Sequence, residues 1–247
     1  MGDQHFKGKG ALEHVLEKRT SGSLAVSEAH GTEMPGHLSA GADALRETAL
    51  LLLLMWLSLR QLHAPARIMT LTLLGLALGL LIWKTGRSAW LGWARLERLH
   101  RLMLEERQEI EHHRPQEREE LKALYASKGL EGKLLEDVLD VLMADNDRLL
   151  KVMLEEEMGL TLAAYEHPLK QAVGACVGVL FALLVMGFLY LLFPLYGIVI
   201  AAIGLMCAGA SVSARYEKNK LVRALVWNLA IACLAGGGVY YLLGAIA

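Results

Sequence analysis

The sequence is poor in the residues that mark most functional classes. Aromatic residues make up only 6% of it, and they form no base-stacking pattern. The formal net charge is -1, so no basic excess draws the chain to nucleic acid. The three cysteines, Cys176, Cys207 and Cys233, make no CxxC and all lie in apolar runs. They read as small buried hydrophobes rather than disulfide partners or metal ligands. No P-loop, nucleophile elbow, HExxH or dinucleotide glycine pattern occurs, and no Ser/His/Asp set can be placed by spacing, so the residues give no support for an enzyme. The n-region, h-region and cleavage pattern of a signal peptide are missing from the polar stretch 1–40. Its histidines, His5, His14, His30 and His37, share no ligand spacing and read as solvated, and Ala11–Arg19 could form a short amphipathic helix.

What the chain has in quantity is apolar surface. It is 54% hydrophobic with a mean hydropathy of +0.36, above the roughly 45–50% of soluble domains. The apolar residues come in runs. Leu45–Leu62 and Ile68–Trp83 are two short membrane candidates joined at His63–Arg67; Leu169–Phe193, Leu195–Ala214 and Leu221–Ala247 are three longer ones. All approach or exceed the ~17–25 residues that cross a bilayer as helix. Trp83, Trp90 and Trp93 fall at an interface level, with Lys84 and Arg87 closing the second run. Gly204, Ala208 and Ser211, and then Gly236–Gly238 with Gly244, offer small surfaces for close helix packing.

Between the second and third runs lies a charged segment, with helices expected at Arg95–His113, about Gln116–Lys128, Glu131–Ala144 and Arg148–Met158. Gly129 and Gly159 end two of them, and Asp145-Asn146-Asp147 caps the last; the glycine and distal glutamate of a calcium loop are absent. Arg215, Lys218, Lys220 and Arg223 crowd the final loop, whereas the Phe193-Pro194 turn carries no basic residue. The positive-inside rule then places the insert, the last loop and the N-terminus in the cytoplasm and the C-terminus on the opposite side. The expected fold is an all-α membrane protein with five transmembrane helices and a cytoplasmic helical insert between spans two and three. Its divisions are a polar N-terminal cytoplasmic segment at 1–40, spans one and two at 41–94, the insert at 95–165 and spans three to five at 166–247.

The insert carries the chemistry. Glu105–Glu120 reads EERQEIEHHRPQEREE. Glu106 and Glu109 form an i, i+3 pair, as do Glu117 and Glu120, and Pro115 predicts a break between two helices. Like charges at that spacing repel, which either water or a bound cation relieves; the pattern alone leaves both open. Further on, Met153 and Glu157 are i, i+4 and share a face if the helix is regular. Oxygen ligands suit hard divalent ions, and a thioether shifts the choice towards softer ones.

These features together resemble the vacuolar iron transporter family. Its members carry E-x-x-E, seven residues, E-x-x-E, and a distant glutamate preceded by paired methionines and followed by x-G-L or L-G-L. Here Glu106-x-x-Glu109 and Glu117-x-x-Glu120 keep that spacing, and Glu157-Met158-Gly159-Leu160 matches the distant glutamate. Met153 falls on the first methionine, while Leu154 replaces the second; Ala144–Arg148 and Pro168-Leu169 also match. The resemblance covers about 70–247. It implies a homodimer in the lipid bilayer that moves Fe²⁺, and next Mn²⁺, out of the cytoplasm in exchange for protons, with no nucleic-acid partner. It also implies Glu106, Glu109, Glu117, Glu120, Glu157 and Met153 as ligands for Fe²⁺ or another divalent metal such as Mn²⁺ or Zn²⁺. The first two spans depart from the family. Ala42-Asp43-Ala44-Leu45 stands where members have N-D-G-[LIV], Lys84 falls near a path-lining methionine, and an acidic position is apolar near Leu76. Asp43 is then the remaining carboxylate of a transport path. An alternative is a membrane-anchored metal-binding or sensing protein without transport, and a third reading is a ferritin-like oxidase, whose Glu-x-x-His spacing is met at Glu109–His112.

Overall fold

The computed structural model describes residues 34–158 and 167–245. All regular structure among them is helical: α1 (Gly36–Gln61), α2 (Ala66–His112), α3 (Arg114–Ser127), α4 (Gly132–Met143), α5 (Asn146–Val152), a π-helical turn (Met153–Glu157), α6 (Pro168–Leu192), α7 (Gly197–Tyr216) and α8 (Leu221–Gly244). The described residues form two compact units, one of residues 94–158 and one of residues 34–93 with 167–245. The segment 1–33, including the expected helix Ala11–Arg19, and residues 159–166 lie outside the description.

In the larger unit, four helices are long and apolar enough to cross a membrane: α2, α6, α7 and α8. The first candidate span does not qualify by composition. Helix α1 carries Asp43, Arg46, Glu47 and Arg60 along its length, although its centre is an unbroken apolar run. It is nevertheless packed among α6, α7 and α8. Leu45, Ala49, Leu52, Leu53 and Trp56 recur at helical spacing and are buried against Ala182, Met186, Ala201, Ala202 and Leu205.

Small residues permit that packing, because helices in lipid associate through close van der Waals contact. Gly174 and Gly178, one turn apart on α6, meet the backbone of α1. A Cβ at Gly174 would overlap the carbonyl oxygen of His37, and one at Gly178 that of Gly41. A Cβ at Gly209 of α7 would strike the Arg46 side chain. Only some of the small residues expected to pack do so. Gly204, Gly237 and Gly238 face open space and Ala208 is exposed, while Ser211 is half-buried and Gly236 and Gly244 come near Leu57 and Gln61. Composition shows that a surface is small; it does not show which way that surface turns.

In the 94–158 unit, the core joins Leu99, Ile110, Leu121, Leu124, Leu135, Leu139, Leu149 and Met153 from every helix. Helix α2 runs unbroken from Ala66 to His112, so the expected second span and first insert helix are one element. It stops at His113, and α3 begins at once with Pro115 in its first turn, where a proline's missing N–H costs nothing. Helix α3 ends at Gly129 (φ +90°) with Leu130 N–H donating to Tyr125 O (3.2 Å) and Gly129 N–H to Ala126 O (2.9 Å), a Schellman closure. Asp145 caps α5 by accepting from Arg148 N–H at 2.9 Å.

The expected helix Arg148–Met158 is not regular. After Val152 it widens into a π-turn, closed by Met158 N–H donating to Met153 O at 3.3 Å. The extra residue in the turn changes the register. Met153, Leu154 and Met158 are all buried, and the i, i+4 alignment of Met153 with Glu157 no longer follows from regular α geometry.

Candidate metal centre

The four paired glutamates sit on the last turns of α2 and the first turns of α3. Solvation of an exposed face is excluded for three of them, because Glu106 and Glu117 are each 1% exposed and Glu120 is 3% exposed; Glu109 is half-buried. A carboxylate withdrawn from water is costly unless charge or hydrogen bonds compensate it. Concentrating several in one core therefore points to a cation or to protons.

Glu106, Glu109 and Glu117 each present a carboxylate oxygen, and these oxygens lie within 4.8 Å of one another. Ligands on opposite sides of an ion with bonds of about 2.1 Å are about 4.2 Å apart, so small side-chain adjustments bring the three to coordinating separations. Three oxygen donors with no sulfur or imidazole fit a hard or borderline divalent ion. Glu120 is buried on the same helix as Glu117 but stands outside this group of three. Met153 is 1% exposed and shares a core with Ile110 and Leu121, the residues that follow Glu109 and Glu120. The side chain of Glu157 lies outside the description. His112, the histidine of the Glu109–His112 spacing, is exposed with its Nδ1 2.8 Å from Gln108 O, and it is not in the carboxylate group.

The rotation of α3 that turns Glu117 and Glu120 inward is held from its other face. Arg118 donates to Glu136 (2.8 Å) and Asp140 (2.7 Å) of α4, and Lys122 pairs with Glu136 at 2.7 Å. Arg114 bonds Asn146 (2.5 Å) and the Met143 carbonyl, and Arg107 bonds Asp147 at 2.7 Å. Hydrogen bonds from Lys122 and then Arg118 hold the Glu136 carboxyl below the ordinary carboxylate value. Those to Asp140 and then Glu136 raise Arg118 further. These clamps were not legible in the sequence, because each joins residues on different helices.

In the larger unit, Asp43 is exposed and ion-paired with Arg46, which also donates to Asn228 Oδ1 of α8 at 3.3 Å. Lys84 is 8% exposed, so it does not reach towards a headgroup; it is ion-paired with Glu47. Asp43 and Glu47 stand one turn apart at the start of an apolar helix, and that spacing is the signal in the sequence for a second carboxylate beside Asp43.

Compared with known proteins, residues 93–245, more than half of the chain, match the model of the VIT family. No curated protein matches the chain.

Proposed function

This chain belongs to the VIT family, whose members transport metal ions across membranes, and we propose that it carries Fe²⁺, and next Mn²⁺, out of the cytoplasm in exchange for protons. The observation that carries this reading is the convergence of Glu106, Glu109 and Glu117 inside the core of the 94–158 unit. Buried carboxylates that crowd one another bind protons more readily than isolated ones and give them up when a cation arrives. Capture of metal and release of protons are then one event. Glu120, Glu157 and Met153 complete the set on this reading, the methionine thioether favouring Fe²⁺ over harder ions.

The proposal includes α1 as a fifth span, supported by its apolar centre and its packing among three apolar helices. The basic cluster Arg215, Lys218, Lys220 and Arg223 supports a cytoplasmic last loop, and with it a cytoplasmic metal-capturing unit and a C-terminus on the far side. We place the working form as a homodimer in the bilayer, after the family resemblance. The second reading, a membrane-anchored metal binder without transport, has its own supporting observation: both carboxylates of α1 already hold side-chain cations, Asp43 with Arg46 and Glu47 with Lys84. Uptake of Fe²⁺ or Mn²⁺ by the purified full chain in liposomes, with and without a pH gradient, decides between them. A transporter accumulates metal and a binder does not.

A further inference from the structure

The transport reading uses the carboxylates of the 94–158 unit and, by the family resemblance, Asp43; of the four charges that pair in the apolar unit it leaves Arg46, Glu47 and Lys84 unassigned. The four form two pairs, Asp43 with Arg46 within α1 and Glu47 of α1 with Lys84 of α2. Ionisable groups among membrane helices are costly and are kept for ion pathways or for pairing. As stability devices they are weak, because desolvation offsets most of the Coulomb gain of a buried ion pair.

The two pairs are built differently. Arg46 is fixed on several sides: it pairs with Asp43, donates to Asn228 and lies against Gly209. It ties α1 to α7 and α8 and is part of the packing. The second pair is lopsided. The Lys84 side chain is 9% exposed, whereas that of Glu47 is 49% exposed. The carboxylate therefore keeps an open side, while the ammonium that neutralises it is enclosed. Each member is followed in sequence by a threonine, Thr48 and Thr85, whose buried hydroxyl makes no hydrogen bond among the described residues. Buried hydroxyls usually find a partner, so this region carries more polar donor and acceptor capacity than its own contacts use.

We propose that Glu47 is a cation-binding carboxylate of the membrane half and that Lys84 is its resident, tethered cation, holding the position against divalent metal. The chemistry is competition. At equal distance a divalent ion attracts a carboxylate about twice as strongly as an ammonium does. The ammonium, however, is covalently held at the site and repels the incoming ion. Metal engages Glu47 only when Lys84 gives way. This makes Lys84 a positioning residue that sets the threshold for metal in the membrane half. The inference rests on the transport reading for its purpose, yet its test does not need transport.

The experiment counts Mn²⁺ bound per full-length chain in lipid nanodiscs, by electron paramagnetic resonance, with Glu106→Gln and Glu117→Gln present to silence the other unit. In that background Lys84→Met, and separately Lys84→Gln, should each gain one bound Mn²⁺ per chain. Lys84→Arg, which keeps the charge, should gain none, and adding Glu47→Gln to Lys84→Met should abolish the gain. The two neutral variants guard against one of them failing to fold, with monodisperse elution as the check. No gain in either neutral variant overturns the assignment, and so does a gain that survives Glu47→Gln. If the gain appears while the wild type moves no metal into liposomes, the transport reading falls and the role of Lys84 stands.

Discussion

Glu106 and Glu117 belong to different helices, on either side of the break at His113, yet their carboxylate oxygens lie within 4.8 Å of each other in the core of the 94–158 unit. Both side chains are almost fully enclosed. The arrangement predicts a stability that responds to metal only while both carboxylates are present. Glu106→Gln with Glu117→Gln should remove the rise in melting temperature that saturating Mn²⁺ gives the wild type. Without metal, the same variant should melt at about the wild-type temperature, because glutamine matches a protonated glutamate in shape and charge. Scanning fluorimetry with and without Mn²⁺ reads both.

Met153 separates a ligand from a filler. It is enclosed in the same core as the neighbours of the glutamates. Met153→Leu nearly conserves volume and should cost less than about 1.5 kcal/mol in stability. If the thioether contributes to the site, affinity for Fe²⁺ or Co²⁺ should fall while that for Mn²⁺ barely changes. Competition titrations of the two metals check this, and equal loss for both would reduce Met153 to packing.

Glu136 gives a pH dependence whose sign follows from its partners. Lys122 and Arg118 lower its pKa in the folded protein from the ordinary 4.5. A carboxylate with a depressed folded pKa stabilises the fold above its unfolded value, and that contribution disappears as pH falls through the folded one. Glu136→Gln should therefore lower the melting temperature at pH 7, and the difference should shrink as pH drops below 4.5. The pair is solvent-exposed, so salt should also diminish the effect. Because Arg118 sets the rotation of α3, Arg118→Ala should weaken Mn²⁺ binding as well, which an exposed surface pair unrelated to the site would not do.

Gly178 tests the packing of the apolar unit. Its α-carbon faces the Gly41 backbone so closely that any side chain forces α1 and α6 apart. Gly178→Val should abolish monodisperse elution in mild detergent, whereas Gly204→Val, at a position with open space around it, should elute as the wild type does.

Much of this was legible in the residues. Apolar runs, Pro115 and Gly129 located α3, α4, α6, α7 and α8 to within a few residues, because caps and breakers act locally, whereas α1 begins nine residues before the expected run and α2 joins two expected helices. The E-x-x-E spacing picked out Glu106, Glu109 and Glu117, whose carboxylate oxygens lie close together, along with Glu120, which stands outside that group. Three features escaped for the same reason. The π-turn at Met153–Glu157, the Glu47–Lys84 pair and the α1–α6 glycine contact all depend on which neighbour a helix meets. A periodic pattern identifies a face without identifying what lies opposite. The mismatch at α1 has a further cause. Its paired charges lower its apolar score, although Asp43 pairs with Arg46 in the same helix and Glu47 with Lys84 of the next.

The central claim, that the buried glutamates feed metal to a transport path, is tested most directly by Mn²⁺ uptake into proteoliposomes under a pH gradient, comparing wild type with Glu106→Gln/Glu117→Gln. The wild type should accumulate Mn²⁺ and dissipate the gradient as it does so, and the variant should lose at least tenfold in rate at low metal, in line with the loss of a ligand pair worth about 1.4 kcal/mol or more. Equal uptake by the two proteins, or no uptake by a wild type that still binds Mn²⁺, would contradict it.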